Sequence, residues 1–172
     1  MSPPVAVLPF VIRRSTDAFE LSVYTSTTIT AHGLLRVEDD RLVIQWRVSR
    51  TTDRHGLGYS SEEEHEDVRE TSVPLGQLAS AQLKRTWRLF GRSPRLVLTA
   101  ADLRAFEVVA GPTGLALAHP SRLELQLQRG DEAAGREFAA ELELAISDHQ
   151  LRRAESSGRG ALPGGPSRGG GP

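Results

Sequence analysis

The stretch "LLRVEDDRLVIQWRV", residues 34–48, constrains the fold more than any other part of the chain. Leu42, Ile44, Trp46 and Val48 recur at every second position, with Gln45 and Arg47 between them. A period of two places these apolar side chains on one face of a strand, and Glu38-Asp39-Asp40 supplies a tight acidic turn before it. That is a β-hairpin. The same alternation returns in "RLELQLQR", where Leu123, Leu125 and Leu127 point inward and Glu124, Gln126 and Gln128 outward. It is also present in "FELSVYT", with Phe19, Leu21 and Val23 on one face, and it continues through the β-branched "TSTTITA". Further strands are predicted at "VRETSVPL", where Pro74 ends the strand or places it at an edge, and at "ASAQLKRTWRLF". In the latter, Ala81, Leu83, Trp87 and Leu89 share a face opposite Lys84, Thr86 and Arg88. "GRSP" reads as a turn, after which "RLVLTA" returns with Leu96 and Leu98 inward.

Elsewhere the period fails or changes. Residues 49–67, "SRTTDRHGLGYSSEEEHED", carry glycines, serines and clustered acids without periodicity and read as a long acidic loop. "DLRAFEVVAG" reads as a turn leading into a brief strand, and "GPTGLALAHPS" as a loop. From Asp131, a suitable N-cap, the period becomes helical: Ala134, Phe138, Leu142, Ala145 and Ile146 form one stripe. Acids near the start and Arg152 and Arg153 near the end suit the helix dipole. Residues 156–172 form a Gly/Pro-rich tail expected to be disordered. Residues 1–18 are read as an N-terminal arm or strand: the short apolar run Val5 to Ile12 precedes Arg13 and Arg14, the wrong order for a signal peptide.

Seven or eight antiparallel strands followed by one amphipathic helix give a mainly-β (β+α) domain over residues 19–155, a curved sheet or barrel closed by the helix. This order resembles the bacterial pleckstrin-homology-like (PH-like) family. The resemblance is carried by "LLRVEDDRLVIQW", by "VPLGQLASAQLKRTW", and by the passage of "RLELQLQRGDEAAGREFAAELELAI" from last strand to helix. The chain has one strand more than the family needs, at Phe19–Thr25 or Phe106–Val109. Phosphoinositide-binding members carry basic residues in the turn between their first two strands. If that turn is Glu38-Asp39-Asp40-Arg41, its sign is wrong for a phosphate.

Composition excludes several chemistries. The chain has no cysteine, so it has no disulfide, zinc-thiolate site, iron–sulfur cluster or cysteine nucleophile. Its five histidines are scattered without ligand spacing, no catalytic or nucleotide-binding motif is present, and neither an enzyme nor a cofactor or metal is expected. No window approaches the ~18–20 apolar residues of a membrane span. Net charge is −1, which argues against nucleic acid. Against this neutral background the hairpin of Lys84, Arg85, Arg88, Phe90, Arg92 and Arg95 stands out as a candidate partner or anion surface. Trp87 is in phase with the core face, leaving Phe90 as the exposed aromatic. Glu62, Glu63, Glu64, Glu66 and Asp67 form its acidic counterpart, which approaches the hairpin in the same chain or in a second copy.

The expected function is a non-catalytic, cytoplasmic bacterial interaction module that binds a protein partner or self-associates. The alternative is a peripheral binder of anionic lipid headgroups through the basic hairpin, and the third reading is an enzyme with an unrecognised site.

Overall fold

The alternating runs fold as strands because each has one apolar face to bury, and they assemble into a single antiparallel sheet. The computed structural model describes residues 7–20, 22–88, 91–110 and 119–158, with the side chains of 86–93, 108, 110 and 158 excepted. The strands are β1 (Val7–Glu20), β2 (Val23–Glu38), β3 (Arg41–His55), β4 (Tyr59–His65), β5 (Arg69–Pro74), β6 (Leu78–Arg88), β7 (Gly91–Ala100) and β8 (Arg122–Gln126). A single 3-10 turn at Leu75–Gln77 joins β5 to β6, a short α1 (Glu107–Ala110) follows β7, and α2 (Glu132–Gly158) ends the described chain. Along the sheet the order is β4-β3-β2-β1-β8-β7-β6, with β5 also paired to β3, so the sheet is open rather than closed. One antiparallel sheet followed by one C-terminal helix is the expected mainly-β (β+α) arrangement.

The core lies between the concave face of the sheet and α2. Leu42, Ile44, Trp46 and Val48 are all buried, as are Leu96, Leu98, Leu123, Leu125 and Leu127. The helix contributes Gly135, Phe138, Ala139, Leu142 and Ile146 and packs chiefly on β6. Ala134 is exposed, so the apolar stripe begins one residue later than the spacing predicts. Gly135 takes that place because a Cβ there would come within 3.3 Å of Leu83 Cδ1 and closer still to Leu127. Glu143 fastens helix to sheet, its Oε1 accepting the Ala81 backbone N–H at 2.5 Å.

Five further expectations are corrected. The long acidic loop is the second half of β3 followed by β4, with a hairpin tip at residues 56–58. Of the segment expected as an N-terminal arm or strand, residues 7–18 are strand and residues 1–6 lie outside the described residues; β1 runs on to Glu20, so Phe19 and Val23 lie on different strands rather than on one, across a turn at Ser22 (φ 70°). The brief strand expected after β7 is the helical turn α1. "GRSP" is not a turn but the start of β7, with Pro94 opposite Arg85. Ser156 and Ser157 belong to α2 rather than to a tail. β4 and β5 lie end to end along the same edge of β3, interrupted at residues 66–68.

Candidate interaction surface

Beyond the row Ile12–Ala31–Val48, no described side chain of β1, β2, β3 or β4 is buried. These four strands nevertheless continue in register to Glu20, Val23, His55 and Tyr59. At ~3.3 Å per residue, the projection from Ala31 to Val23 is about 25 Å. It is a solvated β-arm. Its strands persist without a core because the inner pair is rich in β-branched residues, including Thr25, Thr27, Thr28, Ile29, Thr30, Thr51 and Thr52. Such residues favour the pleated conformation and pair across strands.

Near the tip, the register aligns Phe19, Tyr24, His55 and Tyr59 in one row across all four strands. The Tyr24 and His55 rings lie 5.9 Å apart and those of His55 and Tyr59 4.9 Å apart. Phe19 is 74% exposed and Tyr59 65%, and Leu57 at the hairpin tip is fully exposed. In a chain with only 5% aromatic residues, both tyrosines stand in this row. Two carboxylates hold the phenols in place. The Tyr24 hydroxyl donates to Asp17, which keeps that phenol above its ordinary range, with burial adding to the effect. Tyr59 Oη donates to Asp53 Oδ1 at 2.9 Å. The Asp53 carboxyl is held below the usual carboxylate range by the hydroxyls of Ser61 and Tyr59, assisted by His55.

The expected site residues are divided between two edges. Glu62, Glu63 and Glu64 lie on β4, and the ion pairs of this segment are local: Glu64 with Arg50 at 3.8 Å, Glu63 with His65 at 3.7 Å, and Glu66 with Arg69 at 3.0 Å. The basic hairpin lies at the opposite end of the strand order. There Arg85 pairs with Glu132 of α2, and Arg95 pairs with Glu124 at 3.2 Å. Among the described residues, no ion pair joins residues 62–67 to Lys84, Arg85 or Arg95. The side chains of Trp87, Arg88, Phe90 and Arg92 lie outside the described residues. The "EDDR" turn joins the second and third strands rather than the first two, and Asp40 there binds Arg152 of α2 at 2.9 Å. In the turn that does join the first two strands, Glu20 and Ser22 carry no positive charge.

At the base of the arm a cavity of about 420 Å³ has Phe10, Leu34, Trp46 and Val68 among its lining, with His32 and Arg47 contributing charge-capable groups. Trp46 is 3% exposed, and its indole N–H has no acceptor among the described residues. No carboxylate or hydroxyl lines this cavity, so its described walls offer contact and hydrogen bonding rather than a paired acid and base. No group of three or more metal-binding side chains converges among the described residues, and no helix there is long and apolar enough to cross a membrane.

Comparison with protein-family models, curated proteins and solved structures finds no match to this chain. The part of the arm that alternation missed is residues 49–65. Its detectable signals were the threonine density and the two glycines beside Tyr59, in "TTDRHGLGYSS".

Proposed function

We propose that the chain is a non-catalytic binding module of PH-like architecture that engages a protein partner, or a second copy of itself, through the projecting β-arm. The observation that supports this most directly is the exposed row Phe19–Tyr24–His55–Tyr59 with Leu57, at the end of strand segments that hold no fully buried side chain beyond Ala31 and Val48. A sheet extended about 25 Å into solvent adds little to a core. Aromatic side chains exposed there offer large, rigid contact area at small entropic loss, the chemistry of protein contact surfaces. The lipid reading is less supported: two of the three described basic side chains of the hairpin, Arg85 and Arg95, are already held by carboxylates.

The test replaces Phe19, Leu57 and Tyr59 together by serine and compares the variant with the native chain for association, both with itself and with proteins of its source cell. The arm reading expects unchanged circular dichroism and loss of association. Association that survives the triple change but is lost in Lys84→Glu/Arg85→Glu transfers the function to the basic hairpin. Anionic vesicles, co-sedimented at low and moderate salt, then decide whether that surface takes lipid.

A further inference from the structure

The arm has two open edges whose bases differ in charge. On the outer side of β1, β8 pairs only at Val11, so among the described residues no strand covers 13–20. On the other side, β4 is paired only to β3. Such edges present a row of main-chain N–H and C=O groups to any strand able to approach. The β1 edge carries Arg13 and Arg14 at its base, with Asp17 and Glu20 nearer the tip; the β4 edge carries Glu62, Glu63 and Glu64 at its base, level with the two arginines.

From these edges we infer that the arm pairs with a second copy of this chain, the β1 edge of one molecule receiving the β4 edge of the next. The inference rests on the arm being the binding surface and names its occupant. Three features of the register support it. β1 runs toward the tip and β4 away from it, so two arms pointing the same way meet antiparallel. Within one chain, Arg14, Ile29, Arg50 and Glu64 form one row, and Thr16, Thr27, Thr52 and Glu62 another. A neighbour docked flush therefore sets Arg14 against Glu64 of the second copy, with Glu62 of that copy diagonally adjacent on the same face. Arg13 in turn has Glu63 of the second copy on its diagonal. The same register sets Phe19, at one end of the aromatic row, against Tyr59 of the second copy, at the other end. These are the most exposed aromatic side chains described. Pairing β4 with β4 opposes glutamates to glutamates, a like-charge contact that keeps this edge closed to itself. The contact is head-to-tail, so each added molecule leaves a free edge of each sign and growth beyond a dimer follows.

The experiment measures the mass of the purified full chain by sedimentation and light scattering across a concentration series at about 50 mM and about 500 mM salt. The expected result is mass rising with concentration past that of a dimer at low salt and falling at high salt. Arg13→Glu/Arg14→Glu and Glu63→Arg/Glu64→Arg should each associate at least about tenfold more weakly alone, and mixing the two should restore association because the reversed acidic positions then meet reversed basic ones. Arg13→Thr/Arg14→Thr, which keeps β-branched residues in β1, should show the same loss without charge reversal and so guards against misfolding. A wild-type chain monomeric in all conditions overturns the inference, as does a mass insensitive to salt. Undiminished association of Glu63→Arg/Glu64→Arg also overturns it and identifies a symmetric β1–β1 contact instead. Because these variants retain the aromatic row, their failure leaves the arm's binding of a different protein separately testable by the serine triple variant.

Discussion

Gly33 stands where the arm meets the core, in register between Phe10 of β1 and Trp46 of β3. A methyl group at this position would lie 2.5 Å from the Gln45 backbone oxygen and closer still to the Phe10 ring. The ring is 2% exposed and closely packed, and the carbonyl belongs to the β2–β3 ladder, so neither moves cheaply. Gly33→Ala should therefore overpack the site, at about 1–3 kcal/mol. The smaller entropy of the unfolded alanine chain offsets about 0.4–1 kcal/mol of this, leaving a net loss of about 0–2.6 kcal/mol, centred on about 1.3 kcal/mol. Urea denaturation followed by tryptophan fluorescence reads this directly, since Trp46 reports on the same row. In a Phe10→Leu background the ring contact is relieved but the carbonyl contact remains, so part of the penalty and not all of it should disappear. If Gly33→Ala is as stable as the native chain, the tight Phe10–Gly33–Gln45 approach is not a feature of the folded protein and the reasoning fails.

Glu143→Ala should destabilise the fold by about 1–3 kcal/mol by leaving the part-buried Ala81 N–H without its acceptor, whereas Glu143→Gln should retain most of the stability. Equal stabilities of the two variants in urea would contradict this anchoring role. The triple serine change at Phe19, Leu57 and Tyr59 should alter unfolding free energy by no more than about 0.5 kcal/mol per site, because none of the three is buried. A larger loss would mean that the arm carries core stability after all. Asp53 should titrate below the usual carboxylate range. A carboxyl depressed on folding stabilises the arm above its unfolded pKa, and that contribution disappears as pH falls through the folded pKa. Tyr59→Phe removes one hydroxyl donor and should raise the Asp53 midpoint in a carbon-13 NMR titration; an unmoved midpoint would refute the Tyr59–Asp53 bond.

The core was legible in the sequence because burial on one face leaves a written period. Leu42, Ile44, Trp46 and Val48, and again Leu123, Leu125 and Leu127, alternate because their neighbours face away from the core. Residues 49–65 of the arm were illegible for the complementary reason: their two faces are alike, so Thr51, Thr52, Asp53 and Arg54 continue a strand with nothing to distinguish inside from outside. Charge clustering at residues 62–64 then resembled a loop, although those glutamates occupy an edge strand, where charge is expected. The helix stripe was misplaced by one residue because Gly135 is buried through close approach rather than hydrophobicity. At α1, four residues are too few to display any period. Of the candidate surface, the sequence located both charge clusters. Their separation onto opposite edges depends on the strand order, which no local pattern encodes.

The unequal continuity of the arm's strands has a mechanical consequence. β1, β2 and β3 each run unbroken from the tip into the core, whereas the fourth side is divided between β4 and β5 at residues 66–68. A grip on Phe19 or Tyr24 therefore acts on a stiff lever whose fulcrum is the Phe10–Gly33–Trp46 row, beside the cavity at its foot. A grip on β4 acts on a hinged flap, so torque from that side is absorbed at the break before it reaches the core.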